Sequence, residues 1–216
     1  LYLIVYFSVS MNVMPHHMLL CVDLSLGKVS KHSFSQQTLM EMVISDLCPD
    51  SLKAFIDADG NFVDLENWYG IVRNENGTVR LISWSYREDR AKLKNQGTLH
   101  LEWLPETVVT IHVDERGFEG EVQCEKLPRG LSELVCQNDR LSGTLDIPSL
   151  PETLIRISLW SNFLSGTLDL TTLPPKIDHV NIGENQMSGT LDLTQLPETL
   201  RLLWLDTNAF TGSIAF

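Results

Sequence analysis

Apolar side chains recur in this chain on a beat of 23 residues. Glycine stands at Gly97, Gly120, Gly143, Gly166, Gly189 and Gly212, each 23 residues after the last. The pairs Leu104-Pro105, Leu127-Pro128, Leu150-Pro151, Leu173-Pro174 and Leu196-Pro197 keep the same interval. Two independent markers held in phase over five units define a repeat. Counting the glycine as first, apolar residues fill the third, fifth, eighth, twelfth, fifteenth, seventeenth and twenty-second positions. In the last full unit these are Leu191, Leu193, Leu196, Leu200, Leu203, Leu205 and Phe210.

Leu203 and Leu205 are two apart, the spacing of a strand with one buried face, so Leu202, Trp204 and Asp206 point the other way. Asn208 suits the bend that follows, where a short amide side chain satisfies free backbone groups. The proline at the ninth position cannot sit in a paired strand and marks the return leg. The stretch Ser-Gly-Thr-Leu-Asp-Leu alternates again and predicts a second, short strand on the opposite side. One unit cannot bury its apolar set alone; stacking on its neighbours does.

Leu200 to Phe210 spells L-x-x-L-x-L-x-x-N-x-L, and through it Gly97 to Phe216 resembles leucine-rich-repeat proteins. The Ser-Gly-Thr-Leu phrase resembles the plant-type subclass. The Leu-Pro-x-x-Leu phrase resembles the type found in bacterial effectors and many protist proteins, and both phrases in one unit look most like the protist repeats. The resemblance implies an α/β leucine-rich-repeat solenoid (horseshoe). Its concave sheet would be parallel, its return legs mostly β or irregular, and its N-terminal cap helical. A fold of this kind does not fix a function.

Upstream of the repeats the pattern divides the chain into a leader, residues 1–33, and a cap, residues 34–96, before five repeats over 97–216. Leu1 to Met14 is apolar but lacks a basic start and is broken by Pro15-His16-His17. It is too short to cross a membrane and reads as an unstructured leader or the tail of a signal segment. The chain starts at Leu1, with Met11, Met14 and Met18 as alternative starts. Ser35 to Leu47 has helical spacing, with Leu39, Met42, Val43 and Leu47 on one face and Thr38 with Glu41 as a capping box. Pro49-Asp50 ends that helix and opens a short second one through Phe55. Trp68-Tyr69-Gly70-Ile71 followed by Gly77 to Trp84 resembles the cap of plant-type repeat proteins, without the cysteines that usually flank it. Val79, Ile82 and Trp84 would form the first strand, and Ser85 to Gln96 an insertion. Phe216 comes four residues past Gly212 with no polar capping segment, as expected of a chain that continues.

At 216 residues and 43% hydrophobic, the chain can bury one continuous core. A net charge of −12 argues against nucleic acid and anionic membranes as partners and favours a basic partner or one of no marked charge. Cys124 and Cys136 occupy leucine positions of the repeat and read as core side chains. Cys21 and Cys48 have no metal-ligand or redox spacing. No disulfide framework is implied, which favours a cytoplasmic setting over a secreted or surface one. In a secreted chain the Asn76-Gly77-Thr78 sequon would carry a glycan; otherwise it is a turn.

Chemistry-bearing motifs are few. Phe55 to Glu66 fits a calcium loop at Asp57, Asp59, Gly60 and Glu66, but Phe55 stands where the first carboxylate is needed, so an Asp-Gly turn is the better reading. No nucleophile elbow, phosphate loop or zinc spacing appears, and no metal, cofactor or enzymatic activity is expected. Asp146, Asp169 and Asp192 form an acidic row that reads as a solvated back face. The outward positions of the main strands differ in every unit while the core positions repeat. The candidate partner-binding residues are His112, Asp114, Glu133, Gln137, Arg156, Trp160, His179, Asn181, Trp204 and Asp206. Trp160 and Trp204 lie two strands apart, roughly 10 Å, and exposed tryptophans beside Arg156 and Asp206 have the composition of an interface hot spot. The expectation is a non-enzymatic module that binds a protein or peptide through its concave sheet. The alternatives are a substrate-recruiting part of a larger effector or enzyme chain, and a secreted or surface repeat protein. An uncapped repeat end also allows weak end-to-end self-association.

Overall fold

The computed structural model describes residues 2–4, 21–23, 30–85 and 96–212. Most of the leader, the insertion at 86–95 and residues 213–216 lie outside the described residues. Within the leader, read from the sequence as unstructured or as the tail of a signal segment, Tyr2–Ile4 pairs antiparallel with Cys21–Asp23.

Two seven-stranded sheets carry the repeats. The front sheet is the Leu-x-Leu strand repeated: Thr110–His112, Glu133–Val135, Arg156–Ser158, His179–Asn181 and Leu202–Trp204 run parallel in register. Its first parallel strand, Val79–Ser83, starts where the sequence placed it, stops one residue short of Trp84, and pairs antiparallel with Ile71–Arg73. The back sheet runs from Asp46–Leu47 through Gly97–Thr98, Glu119–Glu121, Arg140–Thr144, Phe163–Thr167 and Gln186–Gly189 to Ala209–Phe210. These back strands begin earlier than the alternating Ser-Gly-Thr-Leu-Asp-Leu stretch suggested and stop at its threonine or, in Gln186–Gly189, at its glycine. The remaining half coils into 3-10 turns such as Ile147–Ser149 and Leu170–Thr172. A local competitor explains the difference: Asp169 accepts hydrogen bonds from the backbone N–H and hydroxyl of Thr171, at 3.0 and 2.6 Å, drawing the chain into a turn.

The core lies between the sheets. Leu131, Leu134, Leu154, Ile157, Ile177, Val180 and Ile182 are almost completely shielded from solvent, as the repeat pattern requires. Cys124 and Cys136 are buried among them. Burial pushes the Cys124 thiol up to about 11 and that of Cys136 well above its ordinary range. The equivalent residues of the last unit, from Leu191 to Phe210, are only half-buried, because each unit is covered by the next.

The cap helix is shorter than its periodicity suggests. It spans Gln36–Val43, and Leu47 belongs to the back-sheet strand paired with Gly97. Ser35, rather than the box of Thr38 and Glu41, caps it by accepting from the Thr38 N–H at 3.0 Å; Glu41 instead accepts from Gln37 Nε2 at 2.7 Å. The buried helix residues are Leu39, Met40 and Val43, with Met42 only half-buried. The short second helix is Pro49–Leu52. Phe55 stacks within 4.8 Å of Trp68, 5.2 Å of Tyr69 and 5.4 Å of Trp84, ring centre to ring centre. Both indole N–H groups are satisfied there, Trp68 by Val63 O and Trp84 by Tyr69 O. At the junction with the repeats, His100 sits between Asp46, 2.8 Å from Nε2, and Glu102, 3.1 Å from Nδ1. Hydrogen bonding to Glu102, then to Asp46, raises its pKa to about 9.

Candidate interaction surface

Three columns of side chains run across the front sheet. Register places Thr110, Glu133, Arg156, His179 and Leu202 in one column and His112, Val135, Ser158, Asn181 and Trp204 in the next. The third column, Asp114, Gln137, Trp160, Gly183 and Asp206, lies just beyond the strand ends. All ten residues singled out in the sequence lie in these columns, and therefore on one face. They are not equivalent.

Most of these side chains in the first four units are held by neighbours. His112 Nε2 meets a Glu133 carboxylate oxygen at 3.0 Å. Asp114 accepts from the Gln137 N–H at 3.1 Å and the Ser85 hydroxyl at 2.7 Å. Val135 and Ser158, nominally outward, are buried by their neighbours. Arg156 is exposed and makes no ion pair among the described residues. His179 Nδ1 pairs with Asp178, a residue that the sequence pattern does not single out, and Arg201 approaches the same carboxylate at 3.6 Å. Asn181 turns back to accept from the Gly183 N–H at 3.2 Å.

The two tryptophans of this face come from the third and fifth units. Trp204 is 50% exposed. Trp160 is half-buried rather than fully exposed as expected, for a visible reason. Gly183 leaves a gap in the third column: a Cβ there would stand 2.8 Å from Asp206 Oδ1 and 3.2 Å from Trp160 Cδ1. Indole and carboxylate lean into that gap from opposite sides. The signal was present in the sequence as the single glycine among outward residues.

A buried seam holds this face to the back sheet. Asn162, Asn185 and Asn208 occupy the twentieth position. The Asn185 side-chain carbonyl accepts from the Leu164 N–H of the back sheet, while its amide donates to Leu159 O, Ile182 O and Gly183 O at the ends of the front strands. Asn162 and Asn208 repeat the pattern. In the first two units the position is taken by Arg116 and Asp139. Asp139 Oδ1 accepts from the N–H groups of Arg116 and Phe118, but Oδ2 is buried without a partner among the described residues. Burial raises that carboxyl to about 7.

Other sequence candidates resolve into local structure. Asp57 caps its own turn, accepting from the N–H groups of Asp59 and Asn61 at 2.9 Å each, and Glu66 pairs with Arg73 at 2.8 Å. Among the described residues no group of three or more His, Cys, Asp or Glu side chains is placed to hold a metal ion. In the acidic row, Asp169 and Asp192 bind Thr171 and Thr194 and so have a structural use.

This fold is similar to that of solved plant proteins. The LRR ectodomain of the receptor kinase SOBIR1 from Arabidopsis thaliana superposes with a TM-score of 0.58 at 17% identity, over 82% of this chain and 95% of that one. The fold is a leucine-rich-repeat solenoid. A pollen receptor kinase 3 structure gives 0.57 at 23% identity, over 82% and 96% of the two chains. The solenoid also matches part of the LRR ectodomain of GASSHO1/SCHENGEN3 from Arabidopsis thaliana, solved in complex with Casparian strip integrity factor 2. That match has a TM-score of 0.57 at 16% identity, over 84% of this chain and 25% of that one. No family model matches the sequence, and no curated protein does either.

Proposed function

We propose that this solenoid is an interaction module that takes a protein or peptide partner on its front sheet. One observation carries the reading. The front columns change side chain from unit to unit over a constant core, and they include a half-exposed Trp204 and a half-buried Trp160. Nothing in the fold gains from leaving Trp204 open; a partner that covers it does. The complex of GASSHO1/SCHENGEN3 with Casparian strip integrity factor 2 is a precedent for a binding role on this architecture. The SOBIR1 neighbour is an ectodomain, which favours a secreted or surface setting; the cytoplasmic one inferred from the cysteines gains no support from it. Among the described residues no helix is long and apolar enough to cross a membrane.

The test is affinity capture from the cells that express the protein, with three baits. They are the native module, Trp160→Ala/Trp204→Ala, and Asp169→Ser/Asp192→Ser on the back, where serine retains turn-capping ability. A partner retained by the first and third baits and lost by the second supports the front sheet. A partner retained by all three contradicts it.

A further inference from the structure

Gly183 does more than interrupt a column. Trp160, Gly183 and Asp206 come from three successive units, about 4.8 Å apart from strand to strand. The middle one lacks a side chain, so the space above it is filled from both sides: Asp206 Oδ1 and Trp160 Cδ1 lie 2.8 and 3.2 Å from the point that a Cβ would occupy. Carboxylate and indole therefore flank one gap, on a face that an incoming group can reach. Trp204, two residues before Asp206 and at the end of its strand, is 50% exposed. Asp206 is exposed as well. Among the described residues its side-chain partner is the Thr207 hydroxyl, at a long 3.4 Å. No Lys or Arg neutralises it among the described residues, whereas the other front-sheet carboxylates are engaged: Glu133 by His112, Asp114 by Ser85 and the Gln137 N–H, and Asp178 by His179 and Arg201.

From this arrangement we infer that Trp160, Trp204 and Asp206 form a receptor for an arginine side chain presented by the partner. The inference rests on the front sheet being the binding face. A guanidinium is planar and weakly hydrated. It stacks on an indole face while directing a fork of N–H donors at a carboxylate, two demands that an ammonium group meets less well. The chain's net charge of −12 draws a basic partner toward the module from a distance. Gly183 is a positioning residue. Its backbone is not in the left-handed region, so alanine is conformationally acceptable there, but the methyl group would displace both the indole edge and the carboxylate.

The experiment follows the indole N–H signals of the five tryptophans by NMR while acetyl-arginine amide is added to the whole protein. The signals of Trp160 and Trp204 are expected to shift saturably, with those of Trp68, Trp84 and Trp103 unmoved. Acetyl-citrulline amide, which has a similar shape and no charge, leaves them in place, and acetyl-lysine amide binds at least threefold more weakly than arginine. Asp206→Asn weakens arginine binding fivefold or more, Gly183→Ala weakens it with the fold intact by circular dichroism, and Asp192→Asn on the back has no effect. Equal responses to citrulline and arginine, equal binding of lysine and arginine, or an unchanged affinity in Asp206→Asn would each overturn the assignment. The bait comparison with Trp160→Ala/Trp204→Ala is read separately, so a partner lost there but indifferent to Asp206→Asn would leave the front-sheet reading standing and remove only the arginine receptor.

Discussion

The front and back sheets are cut from the same 23-residue unit and tolerate opposite things. On the back, Ser-Gly-Thr recurs at residues 142–144, 165–167 and 188–190. Packing dictates that repetition: a Cβ on Gly166 would lie 2.9 Å from the Thr144 methyl carbon, and one on Gly189 would lie 3.0 Å from that of Thr167. The threonine of each rung fills the space above the glycine of the next. On the front, one column reads Thr, Glu, Arg, His, Leu and its neighbour His, Val, Ser, Asn, Trp. Pairings such as His112 with Glu133 hold some of these residues, but no single packing demand recurs from unit to unit. Where close packing chooses the residue, the repeat copies it; where it does not, identity is free to serve something outside.

The sharpest way to break this contrast is to put the same methyl group on each face. Gly97→Ala on the back places a Cβ 2.3 Å from Asp46 O and 2.7 Å from Leu47 Cα, at a φ of +91°. A clash with backbone and an unfavourable φ together should cost about 3 kcal/mol or more and lower the melting temperature sharply. Gly183→Ala on the front meets only the ends of two side chains and should cost about 1 kcal/mol or less.

The seam between the faces gives the next largest effects. Asn185→Ala removes a side chain bonded to both sheets and should cost about 2–4 kcal/mol in urea unfolding. Asp139→Asn should act in the opposite direction, because an amide can donate where Asp139 Oδ2 has no partner. The sign follows from linkage. The folded carboxyl titrates at about 7, above the ordinary aspartate value, so the native state holds the proton more tightly than the unfolded chain. Stability from this group is therefore greatest below about pH 4, falls as pH rises toward 7, and is flat above that. Asp139→Asn should abolish the slope and raise stability at pH 8 by on the order of 3 kcal/mol. An unchanged slope would show that the seam is not proton-linked at this position.

His100 fastens the cap to the first repeat, and its pKa is raised to about 9. Its contribution is therefore fully present below about pH 6.5 and is lost as pH rises through 9. Because the ring is partly solvated, screening should hold the effect to below about 1 kcal/mol. His100→Ala should flatten the alkaline part of the melting profile. The smallest expected effect is at the rim of the front sheet. Thr207, a β-branched residue, is held at a φ of +53°, and Thr207→Gly should stabilise the fold by about 0.5–1 kcal/mol at the loss only of the long hydroxyl contact with Asp206.

The solenoid was legible because its signals are local and repeated. Leu203 and Leu205 announce a strand, Asn208 a bend, and five copies in phase remove the ambiguity. The back strand was placed late because alternation in Ser-Gly-Thr-Leu-Asp-Leu ignores the Asp169–Thr171 contact that ends it. The cap helix was drawn long because Leu47 fits helical spacing as well as a two-residue strand; only pairing with Gly97, distant in sequence, decides. At the candidate site the sequence identified the face but not which residues on it are free. That depends on cross-strand geometry: His112 meeting Glu133, Val135 and Ser158 shielded by neighbours, and Trp160 drawn over Gly183.

Hydrogen exchange on the captured complex tests the division between the faces most directly. With the front sheet as the binding face, a bound partner slows exchange across residues 110–116, 133–138, 156–161, 179–184 and 202–207. Exchange in the back strands Glu119–Glu121, Arg140–Thr144, Phe163–Thr167 and Gln186–Gly189 is left unchanged. Protection confined to the back strands, or spread equally over both sheets, would contradict it.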